Sequence, residues 1–228
     1  MEKEYWKKYF EIRAERENGH QQVERTINKK PMHKAKFNQL LKYIEKNMEI
    51  KSKDTLLDLC CGNGMITSYL AAKCKQVVGV DFTEKLINGI NKTEHHDKII
   101  GVVDDITKIK FKESSFDKVL IYFSIQHISP DQTIKLFKSV YNWLKKDGLF
   151  YIGEIPDSDR IWNFFDNLER EGVYFNGIEN NEPVVGHWYS KNMFIKLGKY
   201  AGFKESKVID QPKDFLYAHY RFDMVLKK

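Results

Sequence analysis

The sequence predicts an α/β protein: a doubly wound, seven-stranded, mostly parallel sheet with a closing antiparallel hairpin, plus N-terminal helices and a helical insertion forming a cap. Three observations predict it. From Asp54 onward the apolar runs TLLDLC, QVVGVD, KIIGVV and FDKVLIYF have strand length and are rich in Val and Ile, as strands covered on both faces must be. Most of these runs alternate with amphipathic segments of helical period, the signature of a parallel sheet with helical crossovers. Finally, KESKVID and HYRFDMVLKK are joined by too short a connection for a parallel crossover and must pair antiparallel.

Each element has its local reason. Residues 4 to 14 place Tyr5, Trp6, Tyr9, Phe10 and Arg13 on one helical face, and residues 33 to 48 do the same with Phe37, Leu40, Leu41, Ile44 and Met48. The polar run ENGHQQVERTINKKP between them, with Gly19 and Pro31, reads as a loop. Helical patterns in MITSYLAAK and TEKLINGINK follow the first two strands, and PDQTIKLFKSVYNWLKK follows the fourth. That helix has Ser129 as a cap, Pro130 in its first turn, Gln132 to complete a capping box and Gly148 past its lysine-rich end. GLFYIGE is the fifth strand. Residues 156 to 189 form an aromatic-rich insertion with a helix over 158 to 171, and Ser190 caps a helix from Lys191 to Ala201. The chain divides into an N-terminal helical cap segment, 1–53, and a larger unit, 54–228, that carries the insertion.

Composition narrows the class. With 42% apolar and 31% charged residues, the chain suits a packed globule and not a disordered segment. No apolar run approaches the ~18 residues of a membrane helix and the first residues lack an apolar signal core, so a cytoplasmic protein without a membrane partner is expected. Three cysteines, two of them adjacent, form neither a disulfide framework nor zinc-ligand pairs. His95, His96 and Asp97 read as a turn, so no metal is expected. The net charge of +6 comes mainly from scattered lysines, with only six arginines, which disfavours nucleic acid as a partner.

The chemistry concentrates at strand ends. LLDLCCGNG, residues 56–64, ends a strand and opens a helix; Gly62 and Gly64 admit a ligand close to the backbone, and the helix start offers free amide groups. A nicotinamide-binding turn needs a third glycine where Thr67 stands. Asp81 ends the second strand, placed to accept ribose hydroxyls, and Asp105 ends the third, where it can accept an adenine amine beside the Ile106 amide. All three elements fall on the carboxyl edge, where open parallel sheets bind ligands.

These motifs resemble those of the class I S-adenosylmethionine-dependent methyltransferases, a Rossmann-like superfamily, over residues 54 to 227. LDLCCGNG is similar to the family's first motif, VVGVDF to its second, VVDDITKIKF to its adenine-contacting stretch and SFDKVLIYFSIQHI to its fourth strand; Cys60 replaces a frequent glycine. The resemblance implies S-adenosylmethionine as cofactor, S-adenosylhomocysteine as product, and a cofactor site made of Asp58, Cys60, Gly62, Gly64, Asp81, Phe82, Asp105, Ile106, Tyr122 and Ser124. His127, after the fourth strand with Gln126, and His187 are the candidate catalytic residues. Arg25, Trp162, Trp188 and Tyr189 are the candidate substrate contacts. SIQH replaces the proline-rich pattern of enzymes that methylate base amines, which favours an O or N nucleophile of a small molecule as acceptor. The alternatives are a non-catalytic S-adenosylmethionine-binding regulator and a methyltransferase acting on protein or RNA.

Overall fold

The computed structural model describes residues 2–27, 29–182 and 184–228, the side chains of Glu2, Lys3 and Ile27 excepted. The N-terminal part contains α1 (Glu2–Arg13), α2 (Gly19–Gln22), a short hairpin of β1 (Thr26–Ile27) and β2 (Lys30–Pro31), and α3 (Lys34–Met48). The expected loop of residues 17 to 31 is therefore partly ordered into secondary structure. Asn18 starts α2 by accepting the His20 N–H, a local signal that the polar composition hid.

The large sheet follows. It is built from β3 (Thr55–Leu59), β4 (Gln76–Asp81), β5 (Ile99–Val103), β6 (Phe116–Tyr122), β7 (Leu144–Pro156), β8 (Glu205–Asp210) and β9 (Arg221–Lys227). Their order is β5-β4-β3-β6-β7-β9-β8: the first five are parallel, and β9 runs antiparallel to both of its neighbours. Seven strands, a doubly wound parallel core and a closing antiparallel hairpin match the sequence expectation. The chain steps outward from β3 through β5, then returns to the other side of β3 as β6. That reversal opens a crevice beyond the carboxyl ends of β3 and β6.

Both faces of the sheet are covered, which explains the near-continuous apolar runs. Successive side chains point to opposite faces. Leu57 and Leu59 pack with α6 (Pro130–Trp143) and α8 (Lys191–Ala201) through Phe137, Val140 and Phe194, while Leu56 packs with α3 and α4 (Met65–Ala71) through Leu41, Ile44, Met48 and Leu70. The register levels the tips that matter: Leu59 is paired with Val80, and Asp81 with Val103.

Two helical expectations change. Helix α6 stops at Trp143 and does not run on through Lys146, because the Ser114 and Ser115 amides take the Asn142 and Trp143 carbonyls and Leu144 turns extended to begin β7. Its capping box does not form: the Ser129 hydroxyl is turned onto the Asp131 carboxylate, to which it donates at 2.6 Å, and it accepts no amide of the first turn. The helix expected over 158–171 is split into a 3-10 turn at Ser158–Asn163 and α7 (Leu168–Glu179), because Asp157 and Asn167 each cap a separate start. Helix α8 has the expected bounds, with Ser190 accepting the Met193 N–H at 3.1 Å. Among the described residues, no helix is long and apolar enough to cross a membrane.

Candidate active site

The site grows from the turn after β3. Cys60 leaves the strand at φ 60°, Gly62 follows at 57° and Gly64 at 79°, so the left-handed backbone begins on a residue with a Cβ. Strand β6 leaves the sheet the same way at Phe123 (φ 59°), and Glu154 (φ 58°) takes the same conformation inside β7, at the bulge between Ile152 and Ile155. Asp81 stitches the glycine turn to β4: one carboxylate oxygen accepts the Gly62 N–H at 3.0 Å, the other the Thr83 N–H at 2.9 Å. Burial pushes its carboxyl up from the usual range, and these amides pull it back.

Asp58 has a different role from the one its motif implies. It is 3% exposed, accepts the Thr67 hydroxyl at 2.7 Å and lies behind the turn, off the cavity wall. Burial pushes its carboxyl up to about 7, with the Asp81 charge adding to the effect. Thr67, at the missing third glycine, is thus the partner of a buried acid. Asp105 accepts both the Thr107 N–H and hydroxyl, at 3.0 and 2.8 Å, fixing the turn after β5.

A cavity occupies the crevice. Cys60, Gly62, Asp81, Phe82, Asp105, Ile106, Tyr122, Ser124, Arg25 and His127 all line it. Gly64 does not; it is the N-cap of α4. Sequence reasoning missed the wall contributed by the N-terminal segment, Phe10, Val23 and Phe37, and also Asn63, Met65 and Phe123. Asn63 donates to Gly19 O and Gln22 Oε1, both at 2.9 Å, and so ties that segment to the glycine turn. Arg25, 3% exposed, donates to Glu154 Oε2 at 2.6 Å, and its guanidinium lies 4.8 and 4.5 Å from the Tyr122 and Phe123 ring centroids. The signal for this pair, a lone arginine in a polar run, says nothing of a partner 129 residues away.

His127 sits where β6 ends. Its ring centroid is 4.0 Å from that of Trp6 and 5.6 Å from that of Phe10, and burial, with the Arg221 and His187 charges nearby, pushes its imidazole down to about 3. His187 and Trp188 line a separate groove beside the cavity, with Tyr5, Phe165 and Tyr174. Trp162 and Tyr189 line neither space. Trp162 is 52% exposed and packs its ring on Tyr174 and Phe175, whereas Tyr189 is a core residue whose hydroxyl donates to Ile128 O at 2.7 Å. Among the described residues no group of three or more His, Cys, Asp or Glu could hold a metal ion.

The wall suits S-adenosylmethionine. Each Asp81 oxygen accepts one amide and retains acceptor capacity for a ribose hydroxyl. Asp105 and Ile106 stand together for the adenine edge, Gly62 and Cys60 allow backbone approach, and Tyr122 Oη is shielded inside the wall without a partner.

A family profile described as a methyltransferase domain matches residues 56–148. Demethylmenaquinone methyltransferase of Staphylococcus haemolyticus (strain JCSC1435) is 33% identical over 155 residues, 66% of this chain and 61% of that protein. The Lactobacillus johnsonii enzyme of the same name is 31% identical over 110 residues, 45% of this chain and 44% of that one. The chain thus spans from under half to about three fifths of these relatives' length. In fold it is similar to phosphoethanolamine N-methyltransferase 1 of Haemonchus contortus, solved with phosphoethanolamine and S-adenosylhomocysteine: TM-score 0.71, 14% identity, 99% of this chain and 48% of that one. The cyclase SpnF shares the architecture at TM-score 0.60 and 13% identity, over 83% of this chain and 80% of that one, so the fold alone does not dictate the reaction. With the strand order β5-β4-β3, the glycine turn and the acidic strand tips, residues 56–148 carry a methyltransferase domain, and the fold is similar to that of S-adenosylmethionine-dependent methyltransferases.

Proposed function

We propose that this chain transfers the methyl group of S-adenosylmethionine to an O or N nucleophile of a small molecule, under a cap formed by the segment before β3 and residues 156–189. The cofactor supplies an electrophilic methyl group; alignment and exclusion of water are the work left to the protein. The observation that carries the reading is the cavity at the sheet reversal, with Asp81 and Asp105 on one wall and His127 on another. Asp81, Phe82, Asp105 and Ile106 would hold the nucleoside. Phe10, Val23 and Arg25 roof it and exclude water.

His127 is neutral over the physiological range, which suits it to accept a hydrogen bond from the nucleophile without placing a second positive charge beside a sulfonium. The enclosed geometry favours a small acceptor over a polymer, and the relatives named for demethylmenaquinone point the same way.

The test is incubation of the full chain with methyl-labelled S-adenosylmethionine and a metabolite extract. Formation of S-adenosylhomocysteine with label in one small metabolite supports the reading. Tight binding of S-adenosylmethionine with no label transfer to any extract component would favour the regulator instead. His127→Asn should lower turnover while leaving the dissociation constant for S-adenosylhomocysteine unchanged.

A further inference from the structure

Helix α1 is a wall common to two spaces. Phe10 lines the cofactor cavity and Tyr5 lines the aromatic groove beside it. Trp6 lies between them in the chain, 4% exposed, with its indole against the His127 imidazole at a centroid distance of 4.0 Å and an interplanar angle of 52°. Gln126 and His127 mark where the two spaces meet: His127 lines the cavity, while His187 lines the groove and donates its backbone N–H to Gln126 O at 2.8 Å. Trp6 covers that junction.

The touching pair is poorly satisfied. Trp6 Nε1 and His127 Nδ1 are both shielded from solvent, and neither has a hydrogen-bond partner. Buried polar atoms nearly always find partners, and two orphans in one pair of touching rings mark a place where something else is accommodated. Two ion pairs hold the C-terminal end of α1 and not the turn that carries Trp6: Arg13–Glu24 is half-buried, and Glu15–Lys85, just beyond the helix, is solvent-exposed and adds little.

We propose that Trp6 is a placeholder: the methyl acceptor is a flat aromatic or heteroaromatic ring bearing a hydroxyl or amine, which enters along the groove and takes the indole's place against His127. A ring fits because the slot now holds one and is bounded by rings: the indole leans on the His127 imidazole at 52°, and Phe10 stands edge-on to that imidazole at 5.6 Å. The ring's polar substituent would then face His127 Nδ1, at the end of β6 nearest the cofactor cavity. Tyr5, Phe165, Tyr174 and Trp188 supply further ring faces along the approach. The inference rests on the methyl-transfer reading, since it names the acceptor class of that same site.

The test uses the full chain saturated with S-adenosylhomocysteine and two probes of similar size, 2-naphthol, which is flat, and 2-decalol, which is saturated and puckered. The indole N–H of Trp6, assigned by its loss in Trp6→Phe, is followed by NMR hydrogen exchange. Saturating 2-naphthol should speed that exchange by about tenfold or more, because the displaced indole meets water, and 2-decalol should not. Trp6→Ala should bind 2-naphthol about tenfold more tightly than the wild type, since the competent state no longer requires displacement.

Unchanged Trp6 exchange at saturating 2-naphthol overturns the inference, as does absence of 2-naphthol binding to both proteins. Equal gains for both probes in Trp6→Ala also overturn it, because they mark an unspecific cavity. Failure to bind S-adenosylhomocysteine at all overturns the cofactor reading itself, a separate outcome.

Discussion

Replacing Gly62 by alanine sets a methyl group against the roof of the site. The added Cβ would lie 2.8 Å from Val23 Cγ1, well inside contact distance, on a backbone with φ +57°. The left-handed backbone alone costs a residue with a Cβ about 1–2 kcal/mol. The overlap adds about 1–3 kcal/mol if the packing holds, or lifts Val23 away if it does not. Val23 belongs to the segment held by Asn63 on one side and by the Arg25–Glu154 pair on the other, so the two contributions separate in a double-mutant cycle. In urea melts Gly62→Ala should lose about 2–5 kcal/mol. Val23→Ala with Gly62→Ala should recover about 1 kcal/mol or more of that, a coupling of the size expected for residues in contact. Trypsin cleavage after Arg16 and Arg25 should accelerate in Gly62→Ala and return toward the wild-type rate in the double variant. Additivity within about 0.5 kcal/mol would refute the reasoning, because Val23 would then not be seated on the glycine turn.

Asp58→Asn tests the buried acid. Because its folded value near 7 lies above the unfolded ~3.9, the stability this carboxyl contributes is complete below pH ~4 and is lost as pH rises toward 7, at up to about 1.4 kcal/mol per pH unit. The asparagine should therefore remove one proton's worth of that slope in melts run from pH 4 to 8 and be the more stable protein at pH 8; parallel pH profiles would count against the assignment. Asp81→Asn should weaken S-adenosylhomocysteine binding by about 1.5–3 kcal/mol in calorimetry by removing a charged acceptor, and it also gives up one of the two amide contacts, to Gly62 or Thr83, that hold the turn; an unchanged affinity would remove Asp81 from the ribose. Arg25→Ala leaves Glu154 buried without its partner and should cost about 3–5 kcal/mol in denaturant melts, whereas Arg25→Ala with Glu154→Gln should recover much of it; no recovery would show that the guanidinium serves by packing on Tyr122 and Phe123 instead.

What the sequence disclosed was local. Val77 to Asp81 and Val119 to Tyr122 read as buried strands because burial on both faces leaves an uninterrupted apolar run, and Asp81 and Asp105 stand out as acids that end such runs. Ser190 announced α8 because a cap acts within three residues. Distant partnerships left no such mark. Trp162 and Trp188 look alike as members of one aromatic insertion, yet the break between the 3-10 turn and α7 leaves the first on the surface and the second in the groove. Tyr189 sits in the sequence beside groove residues but is drawn into the core by the Ile128 carbonyl. Asp58 and Thr67 form one buried pair, legible only once α4 has folded back over β3.

The three left-handed residues of the sheet's carboxyl edge, Cys60 and Phe123 just past their strands and Glu154 at the bulge in β7, have a consequence for how this protein can change over time. Each holds a side chain in a conformation that glycine would occupy at lower energy, so glycine at these positions is a mutation that relieves strain where it falls. Cys60 and Phe123 line the cavity, and Glu154 holds Arg25. A population selected only for heat resistance would therefore find some of its easiest gains inside the active site, and would lose the thiol, the ring or the carboxylate in taking them. Retention of all three under such selection, when glycine is freely offered at each codon, would measure how strongly the cell still uses the reaction.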